Sequence, residues 1–290
     1  MKNSKQKQER TKRGTLRFIN IKILPNNGIS DYINLLTLLA KKDYRVKVRM
    51  DRFMLFTGLT RELDGKVYKG SLIEYTSLDP DGFIDLNTRE NIQNPYEDFN
   101  LGANQKRSYF YFIPEAHRIV LLKNSEININ SVIKYLEEAV KRLYVEESIK
   151  KQEFFIYLIK SDDLIEVLEN AYLVTYIKAT LSYSNKDNSK GFDKFFDKKI
   201  NESGANQVNF ELKTERGNSL SMEEDSLPKA IVELSKNNGD IEARVVQKAG
   251  DPVTKVNTQQ YPLEEPVKFT DSSFLSVVYE KVMSIWRNDE

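Results

Sequence analysis

Chemistry in this chain has to come from carboxylates, lysines, hydroxyls and aromatic rings. Its 290 residues include one histidine, His117, and no cysteine. A cysteine–histidine pair, a zinc cluster and a multi-histidine iron or copper site are excluded within one chain, because each needs several such ligands. His117 could act as a general base, since imidazole titrates near neutrality unperturbed. No oriented nucleophile accompanies it in Pro114-Glu115-Ala116-His117-Arg118. A strand-edge histidine bonded to backbone is the simpler reading.

Among the carboxylates, Glu211-Leu212-Lys213 with Asp193 and Asp197 upstream has the outline of a metal-dependent nuclease. There, converging carboxylates hold Mg²⁺, which lowers the pKa of bound water, and a lysine orients the attacking oxygen. The motif is short, and Asp193 and Asp197 stand four apart on an expected amphipathic helix, where a solvated face explains both. Asp79 to Glu90 mimics a calcium loop, but Phe83 and Ile84 occupy the fifth and sixth positions. An oxygen ligand and a turn glycine are needed there, so a Pro-Asp-Gly turn accounts for the segment and no metal is expected. Gly65 to Ser71 has phosphate-loop spacing without the lysine after the second glycine, and it runs through an expected strand.

Binding chemistry is better supplied. On a strand through Lys106-Arg107-Ser108-Tyr109-Phe110-Tyr111-Phe112, the side chains of Arg107, Tyr109 and Tyr111 share one face. Tyrosines beside arginine can stack bases while the cation meets phosphate. The alternative is a strand buried on both faces, where aromatics are also favoured. The first thirteen residues concentrate positive charge in Lys2, Lys5, Lys7, Arg10, Lys12 and Arg13 against Glu9. With a net charge of +1 overall, the remaining body is mildly acidic. That asymmetry suits an arm touching nucleic acid or an acidic partner, or a merely solvated terminus. Near the other end, Phe274, Val278, Val282 and Trp286 form an apolar stripe that could anchor a partner protein or dock on its own core.

These groups must be positioned by strands and helices in alternation. Leu16–Leu24 alternates as a strand, and Ser30 or Asp31 can cap a helix to Ala40. Tyr44–Phe56 reads as one strand with Arg45, Lys47 and Arg49 on its outer face, followed by an Asp64-Gly65 turn into Lys66–Tyr75. Ser108–Ile113 and His117–Leu122 read as strands, and Ser131–Tyr144 as an amphipathic helix. Strands over 154–159, 172–182, 208–212 and 241–246 then alternate with helices over 162–170, 192–200 and 227–235. Residues 251–266 read as a proline-punctuated loop, and a final amphipathic helix runs to Trp286. The fold class expected is α+β or mixed α/β, with ferredoxin-like elements allowed. The division expected is a flexible basic arm over 1–14, an α+β domain over 15–150 and an α/β domain over 151–290.

The composition, 40% hydrophobic and 30% charged, is that of a folded chain. No secretory leader is evident, and the apolar run Tyr32–Ala40 falls short of the roughly 20 residues that span a bilayer. A soluble cytoplasmic protein without membrane contact is expected.

Three stretches together resemble a bacterial domain-of-unknown-function family associated with mobile elements and phage-defence loci: Arg17–Ile21, Tyr109–Arg118 and Thr180–Asp187. The resemblance implies a defence accessory and carries over no catalytic residues. The function expected is therefore a non-catalytic binding component of such an assembly, contacting nucleic acid, a partner protein from the same locus, or both, with no cofactor. The metal-dependent nuclease using Mg²⁺ is the alternative, and the oligomeric state is left open.

Overall fold

A computed structural model describes residues 9–24, 28–78, 83–92, 101–123, 126–147, 152–182, 196, 198–200 and 202–288. In chain order, β1 (Lys12–Leu24) leads to α1 (Ile29–Lys41), β2 (Val46–Arg49), β3 (Arg52–Glu62) and β4 (Val67–Ser77). A small hairpin, β5 (Phe83–Ile84) and β6 (Asn91–Ile92), precedes β7 (Gly102–Ile113), β8 (Arg118–Leu122) and α2 (Ile129–Glu146). Then come β9 (Glu153–Leu158), α3 (Asp163–Glu169), β10 (Leu173–Ser182), β11 (Gln207–Lys213), α4 (Leu227–Asn238) and β12 (Gly239–Val246). The chain ends in β13 (Thr254–Asn257), β14 (Glu264–Phe269) and α5 (Phe274–Asn288).

Two antiparallel sheets organise these elements. The larger has the order β14-β1-β8-β7-β4-β3-β2, with β9 also pairing β1, and curls into a half-barrel. The smaller has the order β11-β10-β12-β13. Every described strand pairing is antiparallel, so the fold is α+β, and no parallel βαβ crossover of a ferredoxin-like unit forms among the described residues.

The hollow of the half-barrel is the main core. Ile19, Ile21 and Ile23 of β1, Phe110 and Phe112 of β7, and Met54 and Phe56 of β3 point into it, and α1 and α2 fill it with Leu35, Leu36, Leu39, Val132, Leu136 and Val140. Each such burial stabilises the fold by about 1.5–3 kcal/mol. The α2 helix starts where Asn128 accepts a hydrogen bond from the Asn130 amide at 2.8 Å, a side-chain cap. The smaller sheet covers one face with α3 and α4 through Leu164, Leu168, Ile231 and Leu234.

The sheets do not divide at residue 150, because β9, β14 and α5 all return to the half-barrel. The junction between the units is polar. Lys160 is 1% exposed and its ammonium donates to the carbonyls of Ser235, at 3.1 Å, and Gly239, at the C-terminal end of α4. A cation there meets the negative end of the helix dipole. Asp240 lies 3.5 Å away, yet burial outweighs it and pushes the amine down to about 8. Asn20 of β1 adds a bond to the Asn237 carbonyl at 2.8 Å.

Several local expectations change. Residues 44–56 form a hairpin rather than one strand, with Met50 at the turn, 87% exposed and in a positive-φ conformation. The loop expected over 251–266 contains β13 and the start of β14. Pro266 is tolerated because β14 is an edge strand, where a missing amide breaks no ladder on the free side. The helix expected over 192–200 falls largely outside the described residues. Among the described residues, no helix is long and apolar enough to cross a membrane.

Candidate nucleic-acid interface

The outer face of the half-barrel is treated differently at its two ends. Over β1, β8 and the end of β7 it is covered by α5, whose Phe274, Val278 and Val282 are buried against Leu16, Phe18 and Val120. Trp286 is half-buried on the same cluster. The expectation that this stripe anchors a partner is therefore corrected for Phe274, Val278 and Val282: the chain's own sheet occupies them.

That same cover takes Tyr111. It is 8% exposed and meets the Phe274 ring edge-on at 5.0 Å. Burial pushes its phenol up to about 12. Tyr111 is thus removed from the expected stacking row, although strand alternation does place it on the face of Arg107 and Tyr109.

Beyond the helix, no described residue covers the outer face of β2, β3, β4 and the start of β7. Register fixes its occupants. Phe53 stands opposite Tyr75, Leu55 opposite Ile73, Ile73 opposite Arg107, and Ser71 opposite Tyr109. The Phe53 and Tyr75 rings stack at 6.1 Å and 27°. Tyr109 is exposed, and the Lys69 ammonium lies 4.2 Å from its ring centre, a cation–π contact. Lys47 stands opposite Phe53 at the sheet's edge. The cations differ in what holds them. Arg45 pairs with Asp43 at 2.8 Å, and Arg49 turns at a bulge to the buried Glu74 at 3.2 Å. Lys47, Lys69 and Arg107 make no ion pair among the described residues. The face therefore joins three half-open or exposed aromatic rings to three cations that form no ion pair among the described residues.

Sequence reasoning found Arg107 and Tyr109 but missed Phe53, Tyr75, Lys47 and Lys69 as companions. The signal was present in the alternation of β3 and β4. What it lacked was register, which requires knowing that β4 pairs with both β3 and β7.

The other sequence candidates do not converge. Lys12 and Arg13 belong to β1, paired opposite Phe269 and Lys268, and Lys12 bonds Asp271 at 2.6 Å. The flexible arm expected over 1–14 is corrected there: β14 offers a backbone ladder that holds those residues while their charges stay at the surface. Arg10 is exposed ahead of β1, and Lys5 and Lys7 lie outside the described residues. Glu211 and Lys213 sit on the exposed side of β11 and neutralise each other at 2.6 Å, which lowers the carboxyl's pKa. Asp193 and Asp197 lie outside the described residues. Among the described residues, no three His, Asp or Glu side chains gather as metal ligands. His117 occupies a left-handed turn, mostly buried, with its ring stacked on Tyr32 at 4.4 Å and 17°.

The family model for a domain of unknown function, DUF4747, matches residues 12–284. The chain belongs to the DUF4747 family. The DUF4747 match starts at the first residue of β1 and takes in both sheets, so it covers the open face and most of α5. Lys5, Lys7 and Arg10 precede the DUF4747 match, and Trp286 follows it. No curated protein matches the chain.

Proposed function

We propose that this protein is a non-catalytic binding component that takes single-stranded nucleic acid on the open outer face of β2, β3, β4 and β7. One observation supports the reading above all others: Phe53, Tyr75 and Tyr109 share that uncovered face with Lys47, Lys69 and Arg107. Bases have two flat faces that stack on aromatic rings whatever their sequence, and the cations at the margin meet the phosphates. Arg10 and the basic residues before it add non-specific attraction that salt screens. The setting we propose is the cytoplasm of a bacterium, in a phage-defence or mobile-element assembly with a partner protein from the same locus. No metal enters this reading.

The test is fluorescence anisotropy of labelled single-stranded RNA and DNA across a salt series. Binding is expected to fall about tenfold or more in Tyr109→Ala, since stacking contributes about 1–3 kcal/mol per base. Deleting residues 2–10 is expected to leave binding in place with a shallower salt dependence. No binding by the parent protein at low salt would sink the proposal.

A further inference from the structure

The open face is not uniform, and one part of it has the build of a recognition pocket. A depression of about 280 Å³ lies over the β3–β4–β7 sheet, walled by Phe53, Leu55, Ile73 and Tyr75 with Arg45 and Gln105 at its polar margin. Pockets for drug-sized ligands run to roughly 300–1,000 Å³, so this volume suits one flat ring system. The Tyr75 ring lies so close to the Gly102 backbone that a Cβ there would meet it at 2.2 Å. Glycine at that position lets the ring lie flat as one wall.

Gln105 reaches the pocket by alternation, two residues before Arg107 on the same face, and the strand breaks just beyond it. Glu74 pairs with Lys106 and Thr76 with Ala103, so Tyr75 alone faces both Asn104 and Gln105. This is a β-bulge, which inserts one extra residue, Asn104, and bends the strand at the rim of the pocket. Asn104 takes the left-handed conformation at φ 50°, which asparagine tolerates better than most residues. The bulge is pinned from below: Arg52 donates to the Asn104 carbonyl at 3.3 Å, to Thr76 at 2.8 Å and to the buried Glu74 at 3.0 Å. Gln105 itself bonds no other described side chain, so its amide is available.

We infer that this pocket admits one base of the bound strand and prefers adenine. The inference rests on the single-strand reading above. A base sliding between the Phe53–Tyr75 wall and the solvent stacks on aromatic surface, with its edge turned to Gln105. A glutamine amide offers one acceptor and two donors side by side, the match for adenine's N6 amino group and N7. In a single strand the base can be splayed out of its stack, which brings that edge to the amide. Lys47, opposite Phe53, and Arg107, opposite Ile73, stand beside the pocket to take the flanking phosphates, which is why charge favours a nucleic-acid strand over a neutral aromatic ligand.

The experiment compares oligo(A), oligo(U) and oligo(C) of equal length by anisotropy, at two salt concentrations, with the parent, Gln105→Ala and Phe53→Ala. Oligo(A) is expected to bind the parent about tenfold tighter than the others. Gln105→Ala is expected to level the three affinities without changing the salt slope, and circular dichroism checks that this exposed substitution leaves the fold intact. Phe53→Ala is expected to weaken all three. Equal parent affinities, or a preference that survives Gln105→Ala, would overturn the adenine pocket and leave the stacking platform standing. Absence of binding to every oligomer would overturn both.

Discussion

Tyr109 and Tyr111 sit two residues apart on the same face of the same strand, yet one is 39% exposed and the other 8%. Strand alternation alone cannot separate them. What separates them is α5, which ends its cover between the two: Phe274 rests on Tyr111, and Lys69 rests on Tyr109. One half of the outer face is core and the other half is surface, within a single run of alternating residues. An aromatic strand is therefore a place where core and binding surface are written with the same letters. Only the long-range partner decides which is meant.

The sharpest way to break this comparison is to remove each ring in turn. Tyr111→Ala opens a cavity beneath α5 and is expected to cost about 3–5 kcal/mol of unfolding free energy, as buried aromatics do. Tyr109→Ala is expected to cost less than about 1 kcal/mol, since it touches no enclosed packing. Urea unfolding followed through Trp286 fluorescence measures both. Equal costs would mean that Tyr109 is as much a core residue as its neighbour.

The pH dependence sharpens the same contrast. Burial raises the Tyr111 phenol to about 12, so the folded state favours its neutral form more than the unfolded state does. That contribution is fully present below pH 10 and is lost as pH climbs through about 12. Two units correspond to about 2 kcal/mol after allowing for solvent near the ring's edge. The parent is expected to lose this much relative to Tyr111→Phe between pH 9 and the upper limit of the window. A difference that stays flat over that window would place the hydroxyl in water.

How much of this was legible follows from which forces act locally. The α2 helix and the Asp64-Gly65 turn depend on residues three or four apart, and both stand close to where periodicity put them. The loop expected over 251–266 takes in only the start of β14, because Pro266 argues against a central strand and nothing local says that β1 offers it an edge. Lys12 and Arg13 looked like a solvated arm for the same reason. Among site residues, Arg107 and Tyr109 were legible as a local cluster. Phe53 and Tyr75 were not, because their relation to Tyr109 is set by the register of three strands separated by one turn and an insertion.

Within the open half, the next prediction concerns binding rather than stability. Tyr109→Ala is expected to weaken single-strand binding by about 1–3 kcal/mol while leaving the unfolding midpoint nearly unchanged. Tyr111→Phe, which keeps the buried ring and deletes only its hydroxyl, is expected to bind as the parent does. Loss of binding in Tyr111→Phe would show that α5 moves aside in the complex and that the two halves act as one surface.

The smallest expected effect is the most specific. Arg107 stands between the two aromatic stations, opposite Ile73, and makes no ion pair among the described residues. Its role in the proposal is to neutralise one phosphate. Releasing one condensed counterion fewer lowers the slope of log affinity against log salt by about 0.7 for a single strand. Arg107→Gln is therefore expected to lower that slope by about one contact and to weaken all oligomers alike, whatever their bases. Lys123, on the covered half, bonds Glu264 at 2.6 Å, so Lys123→Gln is expected to leave the slope where it was. If the two substitutions shift the slope equally, phosphate attraction is spread over the whole molecule, and the open face holds the strand by stacking alone.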